Sequence, residues 1–198
     1  MPPCFMRCSL VAIFLFLSGA VEAAEADIVG RDVLVIDGDS IVIAERELEL
    51  LGIDAPELEQ LCYLKAEPWP CGRVASEALG QFLDGKEVLC REIVVDGEGR
   101  LLGRCSIVGL DAGAELVTRG LAVLDPAYRG YYLRNYREAR YNSAGMLGGR
   151  FVVPWEWRDG KRLDPEQLKR DLETPLPFGD AMPPMEPSDD DRAPSETD

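Results

Sequence analysis

The chain contains no histidine. That absence excludes Ser-His-Asp and Cys-His nucleophilic machinery, imidazole metal ligands and a histidine general base. Any hydrolytic chemistry must then run on carboxylates, arginine and metal. Positive charge is scarce as well: 21 Lys and Arg stand against 36 Asp and Glu, a formal net charge of −15 over 198 residues. A field of that sign opposes polyanionic ligands unless basic groups are concentrated locally. Long apolar runs are also missing, because Leu10–Leu17 is too short to span a bilayer. No internal repeat is present.

The short apolar run follows Arg7 and precedes the small residues Ala20, Ala23, Ala24 and Ala26, so residues 1–26 read as a secretory signal. Cleavage is expected after Ala23, Ala24 or Ala26. No cysteine follows the run closely, which argues against a lipid anchor. The mature protein is therefore expected to be exported, periplasmic or secreted, and free of the membrane. Losing Arg7, Glu22 and Glu25 leaves 20 basic and 34 acidic residues. Half of the remaining excess lies in the tail from Asp159, which holds twelve acidic and five basic residues.

Four cysteines remain in the mature chain, Cys62, Cys71, Cys90 and Cys105. An even number in an exported protein predicts two disulfides, with three possible connectivities. A hairpin turning at Asp96–Gly99 places Cys90 directly opposite Cys105, within bonding reach. Cys62–Cys71 would then close a short loop. A zinc site is the rival reading, but the spacings fit no common zinc module and no histidine is available.

The organising stretch is Val33–Leu58, VLVIDGDSIVIAERELELLGIDAPEL. Val33 and Val35 alternate into one strand and Ile41 and Ile43 into the next, with Gly38 as the bend. Glu45-Arg46 makes a second turn, and Leu48, Leu50 and Ile53 lead to a second acidic cluster. The two acidic turns aim Asp39, Asp54 and Glu57 at a common space. Grouped oxygen donors suit a hard cation such as Ca²⁺, and a further carboxylate beside it suits a base. The plainer alternative is a pair of acidic hairpin loops, since Asp and Gly are ordinary turn residues.

Downstream, Gln60–Cys71 reads as a loop and Arg73–Leu83 as an amphipathic helix, with Val74, Ala75, Ala78, Leu79, Phe82 and Leu83 on one face. Glu87–Val95 and Leu101–Val108 form the hairpin. Asp111 is an N-cap for a helix to Arg119, which Gly120 ends. Tyr128–Tyr141 holds five of the six tyrosines and four arginines. Interleaved in this way, Tyr128, Arg129 and Arg134 could stack bases and pair phosphates. The alternative is a loop and a helix capped by Asn135 and Glu138 that packs its tyrosines on the core. Phe151–Arg158 closes the ordered part, with its tryptophans on apolar surface. Lys161–Leu172 reads as a short charged helix, and the tail from Thr174 as disordered. The resulting domains are 1–26 signal, 27–158 folded, and 159–198 an acidic, largely disordered tail.

The order DGDS, a strand, then GIDAPE resembles the staphylococcal nuclease (thermonuclease-like) family. So do Asp96-Gly97-Glu98-Gly99-Arg100 before Leu101-Leu102-Gly103-Arg104, and Glu115–Ala122. The resemblance covers roughly Val29–Arg158. It implies a mainly β fold with α, a five-stranded OB-type barrel with about three packed helices in the order β-β-β-α-β-β-α-α. It also implies Ca²⁺-dependent hydrolysis of phosphodiester bonds, with DNA or RNA as partner and a monomeric protein. Position by position, Asp39 and Asp54 match metal-ligating carboxylates, and Ala55 stands where the family supplies a backbone carbonyl ligand. Glu57 matches the general base, and Arg100 matches a phosphate-pairing arginine. Phe151–Arg158 resembles the C-terminal closure of exported nuclease-like proteins.

One departure falls at the centre of that pattern. The family's second catalytic arginine lies five residues before the ligating Asp of the GIDAPE-like segment, and here that position is Glu49. Losing a charge-stabilising donor costs about two to three orders of magnitude in rate, and reversing its charge costs more. Gly97 and Glu98 replace basic and tyrosyl phosphate contacts, and Pro126 replaces a substrate-side tyrosine. Two readings follow: a nuclease weakened at Glu49, or a non-catalytic OB-fold binding protein of the cell envelope. Arg46, Arg129 or Arg134 could fill the vacated place, or Glu49 could pair with Arg100 and disarm both.

Overall fold

Two-residue turns in left-handed backbone set the register of the first strands. Ala44 and Glu45 (φ 49° and 61°) join β3, Ser40–Ile43, to β4, Arg46–Leu50, so that Ile43 faces Arg46 and Ser40 faces Glu49. The turn thus falls one residue earlier than Glu45-Arg46. Residues 26–173 are described here, from a computed structural model of the chain. The expected signal segment and most of the acidic tail lie outside the described residues.

Before this turn, β1 (Ile28–Gly30) and β2 (Val33–Val35) open the fold, and Val33 and Val35 pair with Ile43 and Ile41 as the alternation predicts. Gly38 sits in the connecting bend for lack of room. A Cβ there would lie 2.6 Å from that of Ala55 and 2.9 Å from that of Ala75. After β4 come β5 (Ile53–Asp54), β6 (Cys62–Leu64), β7 (Glu67–Trp69) and α1 (Cys71–Leu83). The expected loop Gln60–Cys71 is therefore a tight hairpin, turned by Lys65 and Ala66 at positive φ and joined at its base by the Cys62–Cys71 disulfide. Helix α1 buries Ala75, Ala78, Leu79 and Leu83, four of the six residues expected on its apolar face.

The long hairpin of β8 (Val88–Val95) and β9 (Leu101–Ile107) confirms the Cys90–Cys105 disulfide, by a route the sequence hides. Near the tip Val95 faces Leu101 and Val94 faces Leu102, a register one residue away from that of a turn centred on Asp96–Gly99. A bulge between Arg91 and Val94, with Glu92 at φ 52°, inserts one residue in β8 and restores Cys90 opposite Cys105. Two departures from ideal geometry cancel. β10 (Leu110–Asp111) leads into α2 (Ala112–Thr118), where the Asp111 carboxylate caps the helix by accepting from the Ala114 amide at 2.9 Å. β11 (Val123–Leu124), α3 (Leu133–Tyr141), a 3-10 turn at Gly145–Gly148, α4 (Pro154–Arg158) and α5 (Pro165–Glu173) complete the described chain.

The main sheet is mixed and runs β1-β8-β9-β4-β3-β2, with β10 on β9 and only the β4–β9 pair parallel. A mainly β fold with packed helices is thus present. Among the described residues the pairing shows no closed barrel. The short β5 leaves the sheet to pair with β11, with Asp54 opposite Val123. The main core lies between sheet, α1 and α2, where Ile41, Ile43, Leu48, Leu79, Leu116 and Val117 are almost fully enclosed. A smaller core gathers the Cys62–Cys71 disulfide, Val123, Ala139, Met146 and Leu147, with Trp155 against it. It docks the C-terminal segment beside β5.

Helix α3 corrects one expectation. Its N-cap is Tyr132, and Asn135 lies within the helix, donating to the Thr118 hydroxyl at 3.0 Å. Burying Tyr132 fixes the helix start and leaves Asn135 and Glu138 no capping role. Replacing Cys90 and Cys105 together by Ser should lower unfolding free energy by about 3 kcal/mol, the loop-closure value for some fifteen residues. Urea denaturation of oxidised wild type and double variant measures the difference.

Candidate active site

The Asp37 side chain builds the first acidic loop. Its Oδ1 accepts from the backbone amides of Asp39 (3.1 Å) and Ser40 (2.7 Å), an Asx turn that bends the chain. The Asp39 carbonyl then accepts from the Leu50 amide at 2.7 Å, fastening the loop to the end of β4. Its carboxylate crosses to the second acidic loop, where Oδ2 accepts from the Ala55 amide at 2.6 Å. Two loops separated in sequence become one structure through this bond.

Asp54 ends β5 nearly buried, and Glu57 follows in the turn beyond Pro56. Gln60, fully enclosed, holds that turn from behind. Its amide donates to the Glu57 carbonyl at 2.7 Å, and its side-chain Oε1 accepts from the Glu57 amide at 3.3 Å. Nε2 donates to the Val152 carbonyl at 2.6 Å, which ties the loop to the chain just before α4. Gly72 lies so near the Glu57 carbonyl that any side chain there would overlap it.

A cleft of about 250 Å³ collects the result. Asp37, Asp39, Glu47, Glu49, Asp54, Glu57 and Asp125 line it, with Arg100 and Arg158 as its two cations. Seven carboxylates against two guanidiniums leave negative charge in excess. Burial, then the neighbouring Asp37 and Asp54, push the Asp39 carboxyl well above the ordinary carboxylate range. Burial also raises Asp54, against the opposing pull of Arg158.

Glu49 and Arg100 meet because β4 and β9 run parallel, with Glu49 beside Leu102. Arg100 lies two residues before Leu102 and so on the same face. Its Nη1 donates to both Glu49 oxygens at 3.1 and 3.0 Å. Asp96 accepts from Arg100 Nε at 2.8 Å, and the Glu98 carboxylate lies at 3.5 Å. Of the arrangements foreseen for Glu49, its pairing with Arg100 is the one present. Burial raises the Glu49 carboxyl even so.

The second cation of the cleft is a residue that sequence reasoning missed. Arg158, at the end of α4, donates from Nη1 and Nη2 to the two Asp54 oxygens at 3.0 and 2.9 Å, and from Nη1 to Glu57 Oε1 at 2.7 Å. Separations of 104 and 101 residues hid these pairs. The available signal was Pro154, which starts a short helix that must end near Arg158. Among the described residues no three carboxylate or thiolate side chains converge closely enough to hold an ion. The oxygens of Asp54 and Glu57 are instead turned to Arg158.

Arg46, Arg129 and Arg134 do not line this cleft. Tyr128 and Arg129 line a separate depression with Tyr131, and Arg134 is exposed on α3. The connecting turn bridges the two places, because Asp125 faces the cleft while its carbonyl accepts from the Tyr128 amide at 3.1 Å.

Residues 47–146 match the family described as staphylococcal nuclease homologue. The chain belongs to that family. It is 33% identical over 129 residues to a succinoglycan biosynthesis protein, ExoI, of Rhizobium meliloti (strain 1021), covering 63% of this chain and 68% of the relative. It is 31% identical over 146 residues to an endonuclease, described as uncharacterized, of Escherichia coli O157:H7, covering 69% of this chain and 88% of that one. A probable staphylococcal-like nuclease, CAN1, of Oryza sativa subsp. japonica is 29% identical over 140 residues, 69% of this chain and 40% of the relative. Family membership supports a nuclease-like function acting on nucleic acid. Two disulfides suit an extracytoplasmic setting. No helix among the described residues is long and apolar enough to cross a membrane.

Gln60→Leu tests how the cleft is held. It leaves the Val152 carbonyl without its buried partner, at a cost of about 1–3 kcal/mol. Thermal denaturation should show a lower midpoint, whereas Gln60→Glu, which retains acceptor oxygens, should still tie the Glu57 amide.

Proposed function

We propose that this protein is a Ca²⁺-dependent nuclease that hydrolyses phosphodiester bonds of DNA or RNA, weakened by Glu49 at the position of a family arginine. The observation that carries this reading is the meeting of Asp39, Asp54, Glu57 and Arg100 on one cleft in a member of this family. The donor chemistry fits the ion. Hard carboxylate oxygens predominate, and carboxyl groups raised by burial and mutual repulsion are those a divalent cation would relieve. Asp39, Asp54 and the Ala55 carbonyl would hold it, once Asp54 gives up its pairing with Arg158. When bound, Ca²⁺ supplies charge neutralisation to a non-bridging phosphate oxygen.

The remaining chemistry falls to the protein. Glu57, half-buried at the rim, orients a water and takes its proton as the water attacks phosphorus and the opposite P–O ester bond breaks, the leaving oxygen taking a proton from solvent. Arg100 donates to the phosphate as negative charge builds on it, once it gives up a carboxylate partner. Glu49 opposes that step by holding Arg100 at 3.0 Å and adding negative charge where an arginine would assist. Tyr128, Arg129 and Arg134 serve as outlying substrate contacts, since the turn that leads into their stretch holds Asp125 on the cleft edge. We place the mature protein outside the cytoplasm, periplasmic or secreted, acting as a monomer after loss of residues 1–26. The second reading, a non-catalytic binding protein, is favoured by that same Glu49–Arg100 pair.

Mature protein should cleave DNA or RNA with Ca²⁺, lose cleavage with chelator, and lose nearly all of it in Glu57→Gln. Cleavage indifferent to both treatments would discard the mechanism, and no cleavage at all would favour the binding protein. Glu49→Arg should raise the rate about a hundredfold, because it supplies a donor and frees Arg100 together. Initial rates on a labelled oligonucleotide measure the change.

A further inference from the structure

The wall of the cleft beyond Glu57 comes from a part of the chain outside the family-matched residues 47–146. A second cavity, of about 400 Å³, adjoins the acidic cleft and shares Asp37, Glu57 and Arg158 with it. Trp157 and Arg162 complete this side. The Arg162 guanidinium lies 3.4 Å from the centroid of the Trp157 ring. Its Nη1 donates to the carbonyls of Trp157 (2.8 Å) and Lys161 (2.6 Å), which fixes the stack.

Capping the end of α4 accounts for the bond to Trp157, and the bond to Lys161 is to the chain just before Arg162. Among the described residues it joins no ion pair, and Nε and Nη2 remain as donors. The carboxylates around it are otherwise engaged. Asp37 holds its own turn, Glu57 pairs with Arg158, and Glu59 lies 3.9 Å from Arg73. An arginine stacked on an aromatic ring beside the cleft, with donors left over, can receive a ligand of matching chemistry. A phosphodiester matches the guanidinium, and an unpaired base matches the flat stack. Arg158 stands between this surface and the acidic cleft, with about half of its side chain exposed.

We propose that Trp157, Arg158 and Arg162 form a subsite for single-stranded nucleic acid. Arg158, on releasing a carboxylate partner, and Arg162 take consecutive phosphates, and the Trp157–Arg162 stack takes the intervening base. Arg158 thereby supplies, from α4, the phosphate-binding guanidinium that the Glu49 position lacks. Only the ligand class rests on the nuclease reading, and single strands are preferred because a paired base cannot stack on the ring.

The test is fluorescence anisotropy of a 5′-labelled single-stranded DNA oligonucleotide with full-length mature protein in chelator, over a salt series. Arg158→Gln and Arg162→Gln should each flatten the dependence of log affinity on log salt by about 0.7. Trp157→Leu should weaken binding about tenfold at fixed salt. Arg158→Lys, which keeps the charge beside Asp54, should keep the salt slope, and thermal melting confirms that each variant is folded. Wild-type affinity and slope in all three neutral variants would overturn the subsite, as would no binding by the wild type. If Ca²⁺ and Glu57 support cleavage while the variants bind normally, the subsite alone falls. If nothing is cleaved while the variants lose binding, the subsite stands and the nuclease reading falls.

Discussion

Seven carboxylates share one cleft, and the ways their repulsion is offset explain most of what surrounds it. Most are met locally. Asp37 is spent on backbone amides, Asp39 accepts from the Ala55 amide, Glu49 pairs with Arg100, and Asp54 and Glu57 share Arg158. Enclosure raises the carboxyls of Asp39, Asp54 and Glu49 despite these partners, so compensation is incomplete. A fold that keeps such charge together needs scaffolding that does not depend on it. The Cys62–Cys71 disulfide, the buried Gln60 and the close approach of Gly72 to Glu57 provide that scaffolding from the apolar side.

The two arginines are used differently. Arg100 sits where the sheet geometry must put it, two residues before the partner of Glu49 in a parallel pair. Three acidic neighbours, Glu49, Asp96 and Glu98, hold it, and two of these lie in its own hairpin turn. Arg158 arrives from a short helix that Pro154 starts and the smaller core positions. Its guanidinium binds Asp54 with both terminal nitrogens, the fork geometry that also suits a phosphate. Positive charge therefore reaches the cleft from two sides, each carried by a separate element.

Legibility in the sequence followed the range of the interactions. Strands β2 and β3, α1, the Asp111 cap and the long hairpin rest on local alternation, periodicity and turn chemistry, and they were readable. The convergence of Asp39 with Asp54 was readable because both sit at strand ends joined by short turns. The hairpin β6–β7 was not, since Lys65-Ala66 carries none of the Asn or Gly that marks a left-handed turn. Nor was the pairing of the two-residue β5 with β11 foreseen, since the two lie some seventy residues apart in the chain.

Gln60 and Arg158 escaped for a common reason. Neither belongs to a motif, and each acts through a partner about a hundred residues away. In isolation, Gln60 looks like any polar loop residue and Arg158 like a solvated helix end. What distinguishes them is burial for one and two short ion pairs for the other, quantities that exist only after the smaller core has formed. The smaller core thus does more than close the domain. By fixing Val152 against Gln60 it sets Arg158 and Glu57 within one hydrogen bond of each other, so the geometry of the acidic turn depends on the segment that ends the folded chain.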